Sequence, residues 1–148
     1  MTIVAAVDSS ENASKVLSQA AALAADLDEL LSVLHVLRRS ELVEVLEKDV
    51  EGQAVTDNYE VQRVGTDIVE RAAADPEAVH DPDSIEITVR VGDPAEEIIA
   101  YADTVDARYV VVGGRRRSPT GKAIFGSVTQ KVMLGASVPV LNVPLGQV

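Results

Sequence analysis

Short aliphatic runs alternate with amphipathic stretches along most of the chain. The runs rich in Val, Ile, Leu and Ala, which predict strands, lie at 2–8, 29–37, 85–91, 107–114 and 138–145. The stretches with apolar residues three and four positions apart, which predict helices, lie at 9–27, 55–74, 92–105 and 127–136. Aliphatic strands between such helices are typical of a parallel sheet covered on both faces. The sequence therefore predicts an α/β fold, a single domain over 1–148 with an open parallel sheet of five strands.

Local signals mark several boundaries of these elements. Ser9 and Ser10 follow the first strand and are residue types that cap a helix. Pro94, with acidic residues after it, indicates a first helical turn. Residues 38–54 are charged and predict a mobile connection with room for a short helix, whereas 75–84 is rich in Pro and Asp and predicts a turn region.

The last strand carries two prolines, Pro139 and Pro144. Proline cannot donate to a central ladder, so this strand is expected at an edge of the sheet. An edge rich in valine is normally covered, and pairing with the same strand of a second copy is the simplest cover. The pattern predicts a homodimer joined through 138–145.

Composition narrows the possible partners. The formal net charge is −11, which argues against general binding to nucleic acid or to an anionic membrane. Nine arginines and only four lysines among so many acids suit a halophilic, high-salt cytoplasm, although an ordinary acidic cytosolic protein is the alternative. Cysteine is absent, the first ten residues do not form a signal peptide, and no apolar run reaches the length of a membrane span. We expect a cytoplasmic protein.

Basic residues cluster between the fourth predicted strand and the last helix. They are Arg115, Arg116, Arg117 and Lys122. Ligands of parallel sheets bind beyond the carboxyl ends of the strands, and the free amides of a helix that begins at Gly126 and Ser127 favour an anion. Gly113 would permit close backbone approach or an unusual φ angle. The cluster predicts an anionic ligand at this edge, although arginines in such a loop are often only solvated.

Several motifs occur together and in order along the chain. They are "VAAVDSS" at the first strand, "LHV" at the end of the second, "GDP" before the third helix, Gly113 followed by Gly126-Ser127, and "VPVLNV" in the last strand. In this combination the chain resembles the universal stress protein family. The resemblance implies an adenine nucleotide alpha hydrolase-like fold with strand order 3-2-1-4-5, and a dimer through the last strand.

The resemblance also implies a site for an adenine nucleotide, ATP with Mg²⁺. Residues matching Asp8 and Val36 hold adenine largely through backbone atoms, and those at the glycine motif hold ribose and phosphates. The predicted nucleotide-binding residues are Ala6, Val7, Asp8, Val36, Val112, Gly113, Arg115, Arg116, Gly126, Ser127, Val128 and Thr129. The chain departs from the family where Arg116 replaces the second glycine of the motif. A side chain there would crowd the phosphates and disfavour positive φ, or its charge would contact them instead.

Two functions remain open at this point. The first is an ATP-binding dimeric regulatory module of the stress response, without rapid hydrolysis because the motif offers no evident general base. The second is a nucleotide-free scaffold that acts through dimerisation and protein partners; a slow ATPase or an adenylating enzyme is a weaker idea. His35 is interpreted as a satisfied turn histidine rather than a catalytic one, and His80 as a solvated turn residue. The Asp8 carboxylate is expected to cap a helix rather than bind Mg²⁺.

Overall fold

The computed structural model of the protein describes residues 1–41, 59–79, 81, 84–117 and 123–147, with the side chains of 115–117, 123–124 and 146–147 left out. Ten elements are delimited in these ranges: β1 Thr2–Ala6, α1 Ala13–Leu27, β2 Leu30–Leu37, α2 Tyr59–Ala73, β3 Ile85–Val91, α3 Pro94–Thr104, β4 Ala107–Arg117, β5 Ala123–Phe125, α4 Ser127–Gly135 and β6 Val140–Gln147. Residues 39–41 are also helical. The predicted connection at 38–54 lies outside the described residues from position 42 onwards, as do His80 and Lys122.

The sheet has the predicted parallel order. Parallel strands follow one another as β3-β2-β1-β4-β6, which confirms the order 3-2-1-4-5. The chain runs outward from β1 to β3 on one side and then crosses to β4 on the other side. Strand order therefore reverses between β1 and β4, and a crevice opens beyond their carboxyl ends.

The fourth parallel strand is longer than predicted. The aliphatic run ends at position 114, but β4 continues through Arg117 because β5 returns antiparallel beside it. Arg115 pairs with Phe125 and Arg117 pairs with Ala123. The prediction that these arginines lie in a loop between the fourth strand and the last helix is wrong, since their backbone is part of a short hairpin. The paired residues of this hairpin are six to ten positions apart in the chain, so a local hydrophobic pattern does not indicate it.

Both faces of the sheet are covered by helices, as predicted. On one face, α1 and α2 pack through Leu17 and Val69 onto a cluster that includes Ile3, Val33 and Val111. On the other face, α3 and α4 pack through residues such as Ile98 and Val132 onto apolar strand residues. These strand residues are Val4, Leu34, Val110 and Val112. None of the helices in the described ranges combines the length and the apolar character needed to cross a bilayer.

The start of α3 follows its sequence signals closely. Asp93 is the N-cap, and its carboxylate accepts a hydrogen bond from Glu96 N at 3.0 Å. Pro94 occupies the first turn, where its missing N–H is not needed. The structure confirms the predicted start of this helix. The start was predictable because the residues that determine it lie within four positions of one another.

A buried hydroxyl cluster links α3 to the middle of the sheet. Tyr101 Oη lies 2.6 Å from Ser32 Oγ and 3.1 Å from Thr88 Oγ1, and Ser32 is fully buried. Tyr101→Phe is expected to lower the free energy of unfolding by about 1–3 kcal/mol, because the Ser32 hydroxyl loses its partner without gaining water. Urea denaturation measures the change. The matched variant Tyr59→Phe, at an exposed site, should change stability by less than about 0.5 kcal/mol. Equal effects of the two variants would contradict this assignment.

Glu29 lies between two cationic groups at the amino end of the sheet. Its Oε2 is 2.9 Å from the Met1 ammonium, and its Oε1 accepts a hydrogen bond from Arg108 at 2.9 Å. The Met1 ammonium first, and then Arg108, hold the pKa of the Glu29 carboxyl below its usual value. The folded-state pKa is the lower one. The contacts therefore stabilise the fold above the unfolded-state pKa of about 4.3, and this contribution is lost as pH falls through the folded-state pKa.

Glu29→Gln is accordingly expected to destabilise the protein at neutral pH and to have progressively less effect in acid. Urea midpoints measured across the acid range, for the wild type and the variant, test this. Glu77→Gln, on the exposed surface, serves as the control and should show no such convergence. A gap between wild type and Glu29→Gln that stays constant with pH would contradict the ion-pair account.

Candidate functional site

A cavity of about 160 Å³ lies at the carboxyl edge of the sheet, in the crevice between β1 and β4. Its walls come from the ends of β1, β2 and β4 and from residues at the starts of α1, α3 and α4. The predicted site residues that line it are Ala6, Val7, Asp8, Val36, Val112, Gly113, Val128 and Thr129. The fold thus brings together residues that are far apart in the chain. Whether they bind a nucleotide stays a prediction.

The other predicted residues do not line this cavity in the described structure. Gly126 and Ser127 are exposed and lie just outside it, at the start of α4. Gly126 is the N-cap residue, with φ −69° and ψ 160°, and its helix end has no side-chain cap. Arg115 and Arg116 belong to β4, and their side chains lie outside the described part of the chain.

The loop after β1 is held by its own side chains. Asp8 Oδ1 accepts hydrogen bonds from Ser10 N at 2.9 Å and from Ser10 Oγ at 2.6 Å. Ser10 Oγ in turn accepts from Asn12 N at 3.2 Å, and Asn12 is the N-cap residue of α1. The Asp8 carboxylate therefore stabilises the turn before the helix rather than capping the helix directly, and Ser9 and Ser10 are not the cap.

His35 is buried below the cavity, with 2% of its surface exposed. Its Nδ1 lies 2.8 Å from the carbonyl oxygen of Val7. A carbonyl only accepts, so Nδ1 carries the proton and donates. No hydrogen-bond partner of Nε2 is found among the described residues. The bond at Nδ1 is a structural contact, but the interpretation of a satisfied turn histidine is wrong in two respects, because His35 lies within β2 and its Nε2 is unpartnered in the described structure.

Two adjacent glycines let β4 pass closely between its neighbours. A Cβ atom at Gly113 would lie 2.7 Å from Val16 Cγ2, and one at Gly114 would overlap Thr129 Oγ1 and lie 2.8 Å from Thr129 Cβ. Thr129 is buried and its hydroxyl donates to Gly113 O at 3.0 Å. Neither glycine has a positive φ in the described structure. The unusual φ named as one possible role of Gly113 is therefore absent, and close backbone approach to a ligand stays a prediction.

The cavity has walls that sequence reasoning missed. Ser10 and Asn12 line it, as do Pro94 and Leu145. At its mouth are Arg38 and Glu41, where Arg38 N donates to Glu41 Oε1 at 3.4 Å. Arg38 directly follows β2, so the rule that ligands meet the carboxyl ends of strands would have indicated it. The charged character of 38–54 instead led to its assignment as a connection.

The amino-acid sequence is similar to one family profile and to individual proteins of known sequence. The profile of the family described as "Universal stress protein family" matches residues 1–144. Universal stress protein YxiE of Bacillus subtilis is 30% identical over 148 residues, 95% of this chain and 97% of that protein. Stress response protein NhaX of the same organism is 41% identical over 58 residues, 39% of this chain. That alignment spans only 35% of the length of NhaX.

Solved structures with the same fold cover almost the whole chain. The structure of a universal stress protein from Archaeoglobus fulgidus has a TM-score of 0.64 at 31% identity, over 96% of this chain and 97% of its own. A second structure, of the universal stress protein from Archaeoglobus fulgidus in complex with dAMP, has a TM-score of 0.64 at 26% identity, over 96% of each chain. These likenesses agree with the strand order described above.

Proposed function

The chain belongs to the universal stress protein family, and from this premise we propose that it binds an adenine nucleotide, ATP, and acts as a dimeric regulatory module of the stress response. The observation that carries the proposal is the cavity at the strand-order reversal, whose lining includes Asp8, Val36 and Gly113. These are positions at which the family resemblance puts adenine and the ribose-phosphate group. A relative at 26% identity was solved in complex with dAMP, which supports a nucleotide of the same base.

The dimensions of the site suit a base inside and phosphates outside. The cavity volume of about 160 Å³ is below the roughly 300 Å³ at which drug-sized pockets begin, so it encloses only part of a nucleotide. The uncapped start of α4 lies just outside, and its free amides and helix dipole favour phosphate oxygens. The arginine backbone of β4 leads toward the same region. Mg²⁺ would accompany the triphosphate, bound by phosphate oxygens and water.

The groups with general-base chemistry near the cavity make structural contacts, and Nε2 of His35, unpartnered among the described residues, is buried away from solvent, so rapid hydrolysis is not proposed. Asp8 Oδ1 accepts two hydrogen bonds from Ser10, and His35 Nδ1 donates to Val7 O. A base must reach the attacking water with a free lone pair at hydrogen-bond distance. We expect phosphate release far slower than the roughly 1 s⁻¹ at the low end of ordinary enzymes. A linear release assay with purified protein measures it.

Binding is tested by equilibrium dialysis of ATP against protein stripped of ligand, at low and high salt. The expected dissociation constant is below about 1 mM. Mass spectrometry of the small molecules released on denaturation of freshly purified protein identifies any ligand that copurifies. Absence of binding below about 1 mM at every salt concentration would reject the proposal.

Ser127 is expected to contribute one hydrogen bond to the phosphates. Ser127→Ala should weaken ATP binding by about 1.5–3 kcal/mol, which is the range for a hydrogen bond to a charged group. Ser127→Thr keeps the hydroxyl and should retain most of the affinity. Isothermal titration measures both variants. An unchanged affinity of Ser127→Ala would mean that the helix amides alone hold the phosphates.

Arg116 distinguishes this proposal from the nucleotide-free scaffold. Arg116 replaces a motif glycine, yet its backbone lies in β4 paired with Ile124, and no positive φ is required of it. One objection to nucleotide binding at this position is thereby removed. We expect the wild type to bind ATP and Arg116→Gly to bind it no more tightly, as titration would show. Binding that appears only in Arg116→Gly would favour the scaffold function instead.

The proposed dimer forms through the last strand. Within the described residues β6 pairs only with β4, which supports its place at an edge. Val110 N donates to Pro139 O, and alternate residues of a strand bond to the same neighbour. The N–H and C=O groups of Val140 and Asn142 therefore face outward. Leu141, 42% exposed, lies between them and offers apolar surface to a second copy.

A further inference from the structure

We propose that His35 is a positioning residue of the nucleotide site, because it occupies the carbonyl of Val7 that the Val36 amide would otherwise bond. The Val36 peptide is thereby left free for the base of the ligand. This inference rests on the proposed nucleotide binding for its last step only. Its first step concerns two backbone groups of the ligand-free protein.

The hydrogen-bond pattern of β2 shows which way the Val36 peptide faces. In a parallel ladder, alternate residues of a strand bond to the neighbours on opposite sides. Leu37 O accepts from Gly92 N at 3.0 Å, beside β3, whereas Leu34 O accepts from Val7 N at 3.0 Å, beside β1. Val36 is two positions from Leu34, so its N–H and C=O also face the β1 side.

Regular continuation of this ladder would join Val36 N to Val7 O. No such backbone bond is present between these two described residues. The Val7 carbonyl accepts from His35 Nδ1 instead, at 2.8 Å. Beyond Val7 the chain turns away through the hydrogen bonds of Asp8 with Ser10, so β1 offers no further ladder partner. Within the described part of the chain, the N–H and C=O groups of Val36 are therefore left at the cavity, which Val36 lines.

The hydrogen bond from His35 to Val7 is well placed to keep the Val7 carbonyl away from the Val36 amide. His35 projects from the face of β2 opposite to Val36, into the layer beneath α1 and α2, and is almost fully buried. A buried ring cannot exchange its bond to Val7 O for one with water. Its Nδ1 donor holds the Val7 carbonyl in a position where it bonds to the ring and makes no bond to the Val36 amide.

The freed peptide offers a donor next to an acceptor, both aimed at the crevice. An adenine edge carries the complementary pair, an amino donor next to a ring-nitrogen acceptor. Because the hydrogen bonds come from backbone groups, a residue with an apolar side chain, Val36, can bind a polar base. The Val36 peptide is therefore the base-recognition element, and His35 keeps it available.

The experiment compares His35→Leu with the matched variant His35→Asn. The asparagine side-chain nitrogen is as many bonds from Cα as Nδ1 is, so it retains the donor, whereas leucine removes it. In ligand-free protein, the NMR scalar coupling across a hydrogen bond from Val36 N–H to Val7 C=O should be absent in the wild type and in His35→Asn. It should appear in His35→Leu. A coupling already present in the wild type would overturn the inference, whether or not any nucleotide binds.

The affinities of the two His35 variants for ATP then test whether this contact affects nucleotide binding. His35→Leu should weaken ATP binding by about tenfold, while His35→Asn stays within about threefold of the wild type. The triphosphates of 1-deazaadenosine and 7-deazaadenosine each lack one ring-nitrogen acceptor beside the amino group. The one that lacks the acceptor of the Val36 N–H should lose much less in His35→Leu. Equal losses for all three nucleotides would indicate a general disturbance of the pocket and overturn the role in base recognition. If His35→Leu does not fold, the couplings in the wild type and His35→Asn still decide the first step. Expected couplings without nucleotide binding would reject the proposed function and leave the effect of His35 on the Val36 peptide supported.

Discussion

Gly114→Ala is expected to lower the free energy of unfolding by about 1–3 kcal/mol and to weaken ATP binding at the same time. The added methyl group would overlap Thr129 Oγ1 and approach Thr129 Cβ to 2.8 Å. Thr129 cannot rotate away without giving up its bond to Gly113 O, so the start of α4 must move. This helix start is the proposed phosphate site. Urea denaturation measures the stability, and equilibrium dialysis measures the affinity.

Gly126→Ala provides the control because it adds the same methyl group one helix turn or less from Thr129. No atom of the described residues lies within 4 Å of a Cβ at Gly126, and its backbone angles suit any residue. We expect a stability loss well below that of Gly114→Ala. The steric account fails if Gly114→Ala is as stable as the wild type, or if Gly126→Ala is the more damaging of the two.

Leu141→Glu is expected to convert the proposed dimer into monomers. In a two-fold interface through β6 each substitution occurs twice, so two carboxylates would be brought together at the expense of two apolar side chains. Each protomer already carries a net charge of −11, which adds repulsion at low salt. The dimer dissociation constant should rise by at least about 100-fold, or roughly 2.7 kcal/mol. Analytical ultracentrifugation over a range of protein concentrations measures this constant.

Leu30→Glu is the matched control for that experiment. Leu30 is 66% exposed, and it begins β2, which is separated from β6 by the two strands β1 and β4. The same change there should leave the assembly state as in the wild type. A monomeric wild type, or equal dissociation by both variants, would reject an interface through β6.

Elements with short-range determinants were predictable from the sequence. The start of α3 depends on Asp93 and Pro94, which lie within one turn of each other, and both were recognised. The edge position of β6 follows from proline chemistry at Pro139 and Pro144, because proline cannot serve a central ladder. The strand order was available only through the family resemblance, since hydrophobic periodicity does not record which strands are neighbours.

Features that depend on distant partners were not predictable in the same way. The extension of β4 exists because β5 pairs with Arg115 and its neighbours, and three polar side chains in a row do not resemble a strand. At the site, Val36 and Asp8 were identified from motifs. The contact between His35 and Val7 was not, because it joins residues 28 positions apart through a side chain. The motif "LHV" contained the signal, but only the geometry shows its use.

Strand β4 contributes both to the cavity and to the part of the sheet that carries β6. β4 pairs with β6 along one side, and its residues Val112 and Gly113 line the cavity. Where ligand occupancy and self-association share a rigid element, thermodynamic linkage makes their influence reciprocal. If bound nucleotide raises the affinity between two protomers by some factor, then dimer formation raises the affinity for nucleotide by the same factor. In the proposed dimer, the concentration of the protein would then itself set its sensitivity to the ligand.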